Sequence, residues 1–397
     1  MKKLFVSARH FKRPLISALV LVLLILTLTA WGSGGFGLAQ ASSNVANATN
    51  ATTLTPQWTG FGPQACPKAV ANPSHWNSIV GIHGGQKVES VSCGNLLNNP
   101  SLQALVTVRN PGSSRLLDVY VYNNITSAHP AQLFKLQGLN RGKAKISNYN
   151  TVVTAQVDLN SSINKGQPTA RLTLDLFREF RGFDTAVNFV QVVFPGMFPD
   201  LTRWQAEADQ QKVNNGQDSW KLDAVKTTSH ALKFLNRSAN NLLTLLSGGG
   251  SRDLTATVRA EALPQGGVAA TIVTLSRLEG NANGGIWEIT AVQADKFGIT
   301  SPQSGLSTTI TSPVTVKGFG LQFEGEVGNV VILDHLYAEI GREIARGTGG
   351  FTESTFSIDV PYTSSFHAGA QEGIVELIQN SGGGNPVVVM VKVLVKP

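Results

Sequence analysis

A mainly β protein with one α+β unit is the fold class this sequence predicts, on three observations. Short apolar–polar alternations of period two, broken by Gly, Pro, Asn and Ser, run through residues 76–195 and again through 253–395. Charged residues are 14% of the chain while glycine is 40 of 397, a balance that favours β-rich exported domains over helical enzymes. Between 201 and 246 apolar residues recur at helical spacing, so helices interrupt the strands there.

The N-terminus carries Lys2, Lys3, Arg9, Lys12 and Arg13, then an apolar run Leu15–Trp31, then Ala39-Gln40-Ala41. A basic flank, an apolar stretch and an A-x-A site are the parts of a secretory signal, expected over residues 1–41 and cleaved before Ser42. The competing reading is an uncleaved anchor, since 17 apolar residues lie at the lower limit for spanning a bilayer. No cysteine follows the run closely; the first is Cys66, which argues against a lipoprotein anchor.

The formal charge of +7 is mostly the signal: without residues 1–41, 27 basic residues face 25 acidic ones, a net +2. A nucleic-acid partner calls for a stronger basic footprint, so none is expected. Membrane contact is expected only through the N-terminal segment, if it is retained. Cys66 and Cys93 are the only cysteines, and an even pair in an exported chain reads as a disulfide. Two separate buried thiols are the alternative.

Residues 42–75 begin with SSNVANATNATT and read as a flexible spacer. The sequons at Asn47, Asn50, Asn124, Asn160 and Asn236 matter only in a eukaryotic secretory pathway. A β-rich domain is expected over 76–200, with strands Lys87–Val91, Gln103–Val108, Leu116–Tyr122, Ala144–Tyr149, Val152–Leu159, Arg171–Phe180 and Phe189–Phe194. Within it, Cys93–Tyr122 is weakly similar to the Asp-rich calcium hairpins of propeller-like secreted proteins. Asn95, Asn98 and Asn99 stand where carboxylates would, and amide oxygens alone make a poor calcium shell.

An α+β unit is expected over 201–300. Asp200 or Thr202 caps a helix Leu201–Val213, Asp218 caps a second from Ser219 to about Asn236, and Asn240–Leu246 adds a helical turn. Strands Asp253–Ala262, Val268–Leu278 and Ile286–Asp295 follow. The phrase GGIWEITAVQAD (Gly284–Asp295) resembles the last strand of cystatin-like cone folds such as the nuclear-transport-factor-two-like superfamily, which implies a fold that often encloses a pocket.

The region 301–397 reads as a small sandwich with runs Val314–Phe323, Asn329–Ile340, Phe351–Val360, Gly373–Gln379 and Val387–Val395. Its opening phrase ITSPVTVKGFGLQFEGEV (Ile310–Val327), followed by VVILD, GGFTESTFSIDVPY and VVVMVKVLV, resembles the bacterial spore-germination immunoglobulin-like (Gmad-type) domain. That resemblance implies an immunoglobulin-like β-sandwich serving as a binding or structural module without chemistry of its own.

Catalytic patterns are weak throughout. His83-Gly84-Gly85 is superficially an oxyanion-hole phrase, but no G-x-S-x-G elbow accompanies it. A cysteine nucleophile would need Cys66 or Cys93 with His75 or His83, against their pairing with each other. Glu207 and Asp209, Asp218 and Asp223, and Glu324 and Glu326 give no carboxylate pair for glycoside hydrolysis and read as caps or solvated surface. The histidines His75, His83, His129, His230, His335 and His367 are scattered, without metal-ligand spacing. Gly347-Thr348-Gly349-Gly350 lacks the Lys-Ser/Thr of a phosphate loop. Trp204 and Trp220 are read as core before sugar platform, and Phe177–Leu201 as a junction between units before ligand groove.

The expectation is a bacterial, extracytoplasmic, cell-surface-associated protein with no cofactor and no metal. It would bind or assemble with a cell-wall or envelope protein partner, in sporulation or spore germination if the resemblance extends to process. The alternative is a small-ligand carrier or enzyme using a pocket in the cone-like unit; a wall hydrolase is a third class.

Overall fold

A computed structural model of the protein describes residues 62–184, 188–235, 242–261, 270–280, 284–379 and 386–397. The signal expected over 1–41, the spacer up to residue 61 and the sequon at Asn236 lie outside them. The fold is mainly β, built from antiparallel sheets.

Helix α1 (Trp76–Val80) leads into β1 (Lys87–Gly94), β2 (Gln103–Arg109), β3 (Leu117–Asn123) and β4 (Ala131–Leu139), which form a sheet in chain order. Strands β5 (Lys143–Ile146), β6 (Val152–Gln156), β7 (Leu176–Phe183) and β8 (Asn188–Val192) form a second. Leu105, Val119 and Val121 of the first sheet share a core with Ile146, Val152 and Phe180 of the second. On the first sheet's other face, Val106, Val108, Tyr120 and Tyr122 pack with Val70 and Trp76. Both faces of β2 and β3 are therefore covered, which is why apolar residues fill both parities there.

The segment expected as spacer is packed from Gly62 onward. Gln64 N donates to Cys93 O at 2.7 Å, Trp76 Nε1 donates to Val70 O at 2.8 Å, and Cys66 is disulfide-bonded to Cys93.

Helix α2 (Arg203–Asn214) is capped by Thr202, whose Oγ1 accepts from Gln205 N at 3.3 Å. The expected helix from Ser219 needs correction. Asp218 sits at φ +49° without a capping bond; a 3-10 turn (Ser219–Leu222) follows it. Asp223 is the cap of α3 (Ala224–Phe234), accepting from the Val225 and Lys226 N–H groups at 3.0 Å. The helical turn expected over 240–246 is also corrected: Leu242–Gly248 is a strand, β9, whose backbone finds its partners on β10 (Thr255–Glu261). Strands β11 (Thr271–Ser276) and β12 (Glu288–Ala294) complete that meander.

The C-terminal strands are β13 (Gly298–Ser301), β14 (Thr309–Ile310), β15 (Val314–Leu321), β16 (Glu326–Leu333), β17 (Glu339–Arg346), β18 (Glu353–Val360), β19 (Gln371–Gln379) and β20 (Val387–Val395). The run read as Asn329–Ile340 divides into two, because the Asp334 carboxylate accepts from Leu336 and Ala338 N–H groups and turns the chain. A three-stranded sheet runs β13-β15-β18, and a nine-stranded one runs β17-β16-β19-β20-β12-β11-β10-β9, with β14 beside β20.

Strand β20 is the spine of the larger sheet. Val387, Val389, Val391, Val393 and Val395 enter the core shared with β15 and β18, whereas Val388 and Met390 enter a second core with Met197, Phe198, Leu201 and α3. A strand covered on both faces is apolar at nearly every position. The pairing of Val292 with Met390 carries the sheet across the boundary placed at residue 300.

Candidate functional site

Strand β15 alternates strictly, with Val314, Val316, Gly318 and Gly320 inward and Thr315, Lys317, Phe319 and Leu321 outward. The inward glycines are steric necessities: a Cβ at Gly318 would lie 2.6 Å from the Phe356 ring, and one at Gly320 2.6 Å from the Phe297 ring. The outward positions end in large apolar side chains that are only partly covered. Phe319 is 39% exposed, Leu321 50%, Phe323 66% and, from the neighbouring loop, Phe351 65%.

Phe323 is held by a two-residue turn. Phe323 and Glu326 exchange both backbone hydrogen bonds, at 2.8 and 2.9 Å, around Glu324 (φ +52°) and Gly325 (φ +88°). Two positive φ values mark the turn type that matches strand twist, and glycine supplies the second without strain. The Gly347–Gly350 phrase is a turn between β17 and β18 and is clamped from beneath. Buried Gln322 accepts from Gly349 N at 3.1 Å and donates to Gly349 O at 2.5 Å. Two loops thus present Phe323 and Phe351 edge to face, centroids 5.3 Å apart at 77°. Around them stand the carboxylates Glu324, Glu326 and Glu353, with Arg346 on Glu326 at 3.3 Å and Lys296 near Glu353 at 3.8 Å.

The space between α3 and the sheet offers much less. Its cavity of about 20 Å³ is lined by Met197, Phe198, Ala231, Leu235, Val273 and Met390 among others. That is room for about one water, and an apolar void of this size stays dry. Its two threonines are committed: Thr228 Oγ1 donates to Ala224 O at 2.9 Å, and Thr271 Oγ1 accepts from Val388 N at 3.1 Å.

The aromatic phrase 177–201 is a junction. Phe194 N donates to Glu372 at 2.8 Å, Met197 N to Ile289 O at 2.7 Å, Lys392 Nζ to Leu201 O at 2.7 Å, and Tyr337 OH to Met197 O at 2.8 Å. Charge is concentrated beneath it. Arg203 donates to Glu179 at 2.7 Å and to Glu279 at 2.6 Å. Burial alone would lower the Arg203 pKa, but Glu179 and Glu279 outweigh it and raise it. Burial pushes Glu279 up to about 8, against the pull of Arg203, and Glu372 up to about 7, against Lys392. Burial also raises Asp200 and Glu288, which face each other; the Asp200 charge raises Glu288 further.

Several sequence-level readings change here. Glu207 and Asp209 are not solvated surface: both are buried, with Lys145 on Glu207 at 2.5 Å and Lys221 on Asp209. The helix turns them inward because it packs on charged neighbours. Glu324 and Glu326 are exposed as expected, and Asp218 is exposed, while Asp223 is a cap. His83 lies in an exposed turn, its Nδ1 2.8 Å from Gly81 O. With Cys66 and Cys93 bonded to each other, neither offers a thiol to His75 or His83. Asn95 spends its amide on Asn99 O and Ser101 O, and Asn99 reaches Asp184. Among the described residues no group of three His, Cys, Asp or Glu side chains can hold a metal. Trp204 and Trp220 are half-buried, Trp220 stacked on His230 at 4.0 Å.

Sequence reasoning missed the Phe323–Phe351 pair. The available signal was parity: with Val314 and Val316 inward, Phe319, Leu321 and Phe323 fall on the outward face. Comparison of the chain with protein-family models and with curated proteins finds no match to either.

Proposed function

We propose that this is an exported, envelope-facing binding and assembly protein, whose C-terminal region is an immunoglobulin-like sandwich that docks a protein partner through Phe323 and Phe351. The observation that carries the reading is that aromatic pair, exposed yet rigidly supported by the Glu324-Gly325 turn and the Gln322 clamp. Contiguous exposed apolar surface marks interaction sites, and aromatic anchors supply most of the energy of protein interfaces. Around the pair, Glu326 meets Arg346 and Glu353 meets Lys296, a mixed polar rim of the kind that surrounds protein interfaces. Export is supported by the disulfide, which persists in oxidising compartments. Among the described residues no helix is long and apolar enough to cross a membrane. A role in sporulation or germination rests on the Gmad-type resemblance and directs where a partner is sought.

The test uses the whole protein. Ending the chain at Gly298 would strip β20 from β12 and expose the second core. Phe323→Ser with Phe351→Ser changes only exposed side chains. Retention of the protein on purified cell wall or on envelope extract should fall at least about tenfold, the scale of losing one aromatic anchor. Undiminished retention by the double variant refutes the docking role. Binding to protein-free vesicles as tight as to extract would replace it with a membrane contact.

A further inference from the structure

The geometry points to a second binding site, for a short anionic glycan, in the groove where the first two sheets meet α2. The groove measures about 330 Å³, against about 40 and 20 Å³ for two other cavities, beside α2 and beneath α3. It therefore falls within the roughly 300–1,000 Å³ of small-ligand sites. Its walls carry Arg109, Arg115, Arg141 and Lys143 against one carboxylate, Glu89. That is a net charge of +3 in one concavity, on a chain whose balance beyond residue 41 is only +2.

The four cations play different parts. Arg109 is fixed: it forks onto Glu89, with Nη2 to Oε1 at 2.9 Å, and donates to Arg115 O at 2.6 Å and Gly142 O at 2.9 Å. It thereby joins the loop before β3 to the turn before β5 and leaves Glu89 neutralised. Arg141 donates to Ser113 O at 3.2 Å. Arg115 and Lys143 are exposed, and among the described residues neither has a side-chain hydrogen bond or ion pair. Both line the groove and remain open to solvent. Four cations held against the single Glu89 carboxylate favour an incoming anion.

Trp204 is the one aromatic side chain that lines the groove. It is backed by Phe177, rings 6.4 Å apart at 29°, and Lys145 Nζ lies 5.0 Å over it. Lys145 in turn reaches buried Glu207, which anchors it. An indole beside guanidinium and ammonium groups suits a ring with an apolar face and acidic substituents: a sugar bearing carboxylate or phosphate. Single-stranded nucleic acid fits less well, since it needs a basic track with successive aromatic platforms, and this groove has one tryptophan. The site shares no residue with Phe323 and Phe351 and stands or falls independently of them.

The experiment is calorimetric titration of the protein with a galacturonate trisaccharide, a phosphorylated maltotriose, neutral maltotriose and a short oligothymidylate. One or both anionic oligomers should bind, and whichever does identifies the acid group; maltotriose should not. Arg115→Asn with Lys143→Gln, both exposed, should weaken binding about tenfold at unchanged melting temperature, and added salt should weaken the parent protein's binding. Failure of both anionic oligomers to bind overturns the proposal. So does binding unaffected by the double substitution, or an oligothymidylate bound as tightly as the sugars, which would make the groove a general polyanion site.

Discussion

Replacing Lys392 with methionine should cost this protein about 3–5 kcal/mol of stability, the range for breaking a buried pair by removing one partner. Lys392 is 2% exposed and the one charged residue of β20. Its ammonium lies 3.6 Å from Glu372 and donates to the carbonyls of Gly196 and Leu201. Methionine fits the volume, so packing loss is small and the deficit reports the charge and the two deprived carbonyls. The deficit should depend on pH. Glu372 sits near 7 with Lys392 present, held up by burial, and goes higher without it. Below 7 the carboxyl is protonated in the folded protein and misses the lysine little; above 7 the parent keeps an ion pair that the variant lacks. Urea unfolding at pH 5 and pH 8 measures both ends. Adding Glu372→Gln to Lys392→Met should recover part of the loss at pH 8, giving a clear interaction energy in a double-mutant cycle. A deficit under about 1 kcal/mol at pH 8, or strictly additive single effects, would refute the reasoning.

Glu279, pushed up to about 8 from an unfolded value near 4.5, binds its proton more tightly when folded, so its contribution falls as pH rises through that window. The decline is ~5 kcal/mol at most; Glu279→Gln should flatten it, and an unchanged slope in urea unfolding between pH 5 and 8 would contradict the assignment. Replacing Cys66 and Cys93 with serine opens a loop of separation 27, and should cost about 3–4 kcal/mol by denaturant unfolding; a loss under about 1 kcal/mol would mean that the packing of Val70 and Trp76 holds the segment by itself. Gln322→Ala should speed amide exchange at Gly349, whose N–H it accepts, and weaken partner retention without altering the three-stranded sheet; unchanged exchange there would remove the clamp from the account.

Legibility followed the range of the interactions. Val387–Val395 was readable because a strand buried on both faces is almost uniformly apolar, and the helix start was narrowed to Asp200 or Thr202 because capping is local, with the structure choosing Thr202. The cysteine pair was readable because two cysteines in an exported chain leave few options. Strand β4 was missed because the adjacent Leu133 and Phe134 break its alternation and Gly138 reads as a turn residue. The helix start at Asp223 was misplaced because Asp218 is an equally good cap in composition; only its left-handed backbone disqualifies it. The charged junction could not be read at all. Arg203 meets a carboxylate 76 residues away and Lys392 meets carbonyls nearly 200 residues away, and no local pattern encodes such pairs. In the C-terminal strands the alternation was visible, but alternation reports which residues share a face, not whether that face is covered.

The need for a lysine in β20 follows from its neighbour. Residues 194–201 carry two prolines and no regular ladder, so the Gly196 and Leu201 carbonyls face the sheet without strand partners. A buried carbonyl left without a donor is costly, and a side chain reaching both must bring several donors on a long stem. Lysine does this, and Glu372, beside it on β19, balances the charge it brings while accepting from Phe194 N. The arrangement fixes where the N-terminal sheets sit on the C-terminal ones, a specifying role that buried ions serve better than they serve stability. If that is its role, Lys392→Met should loosen the junction more than the body. Amides of Met197 and Ile289, which bridge the segment to β12, should exchange far faster in the variant, while β15 and β18 keep their protection. Uniform acceleration across both regions would mean that the lysine supports the whole core and specifies nothing.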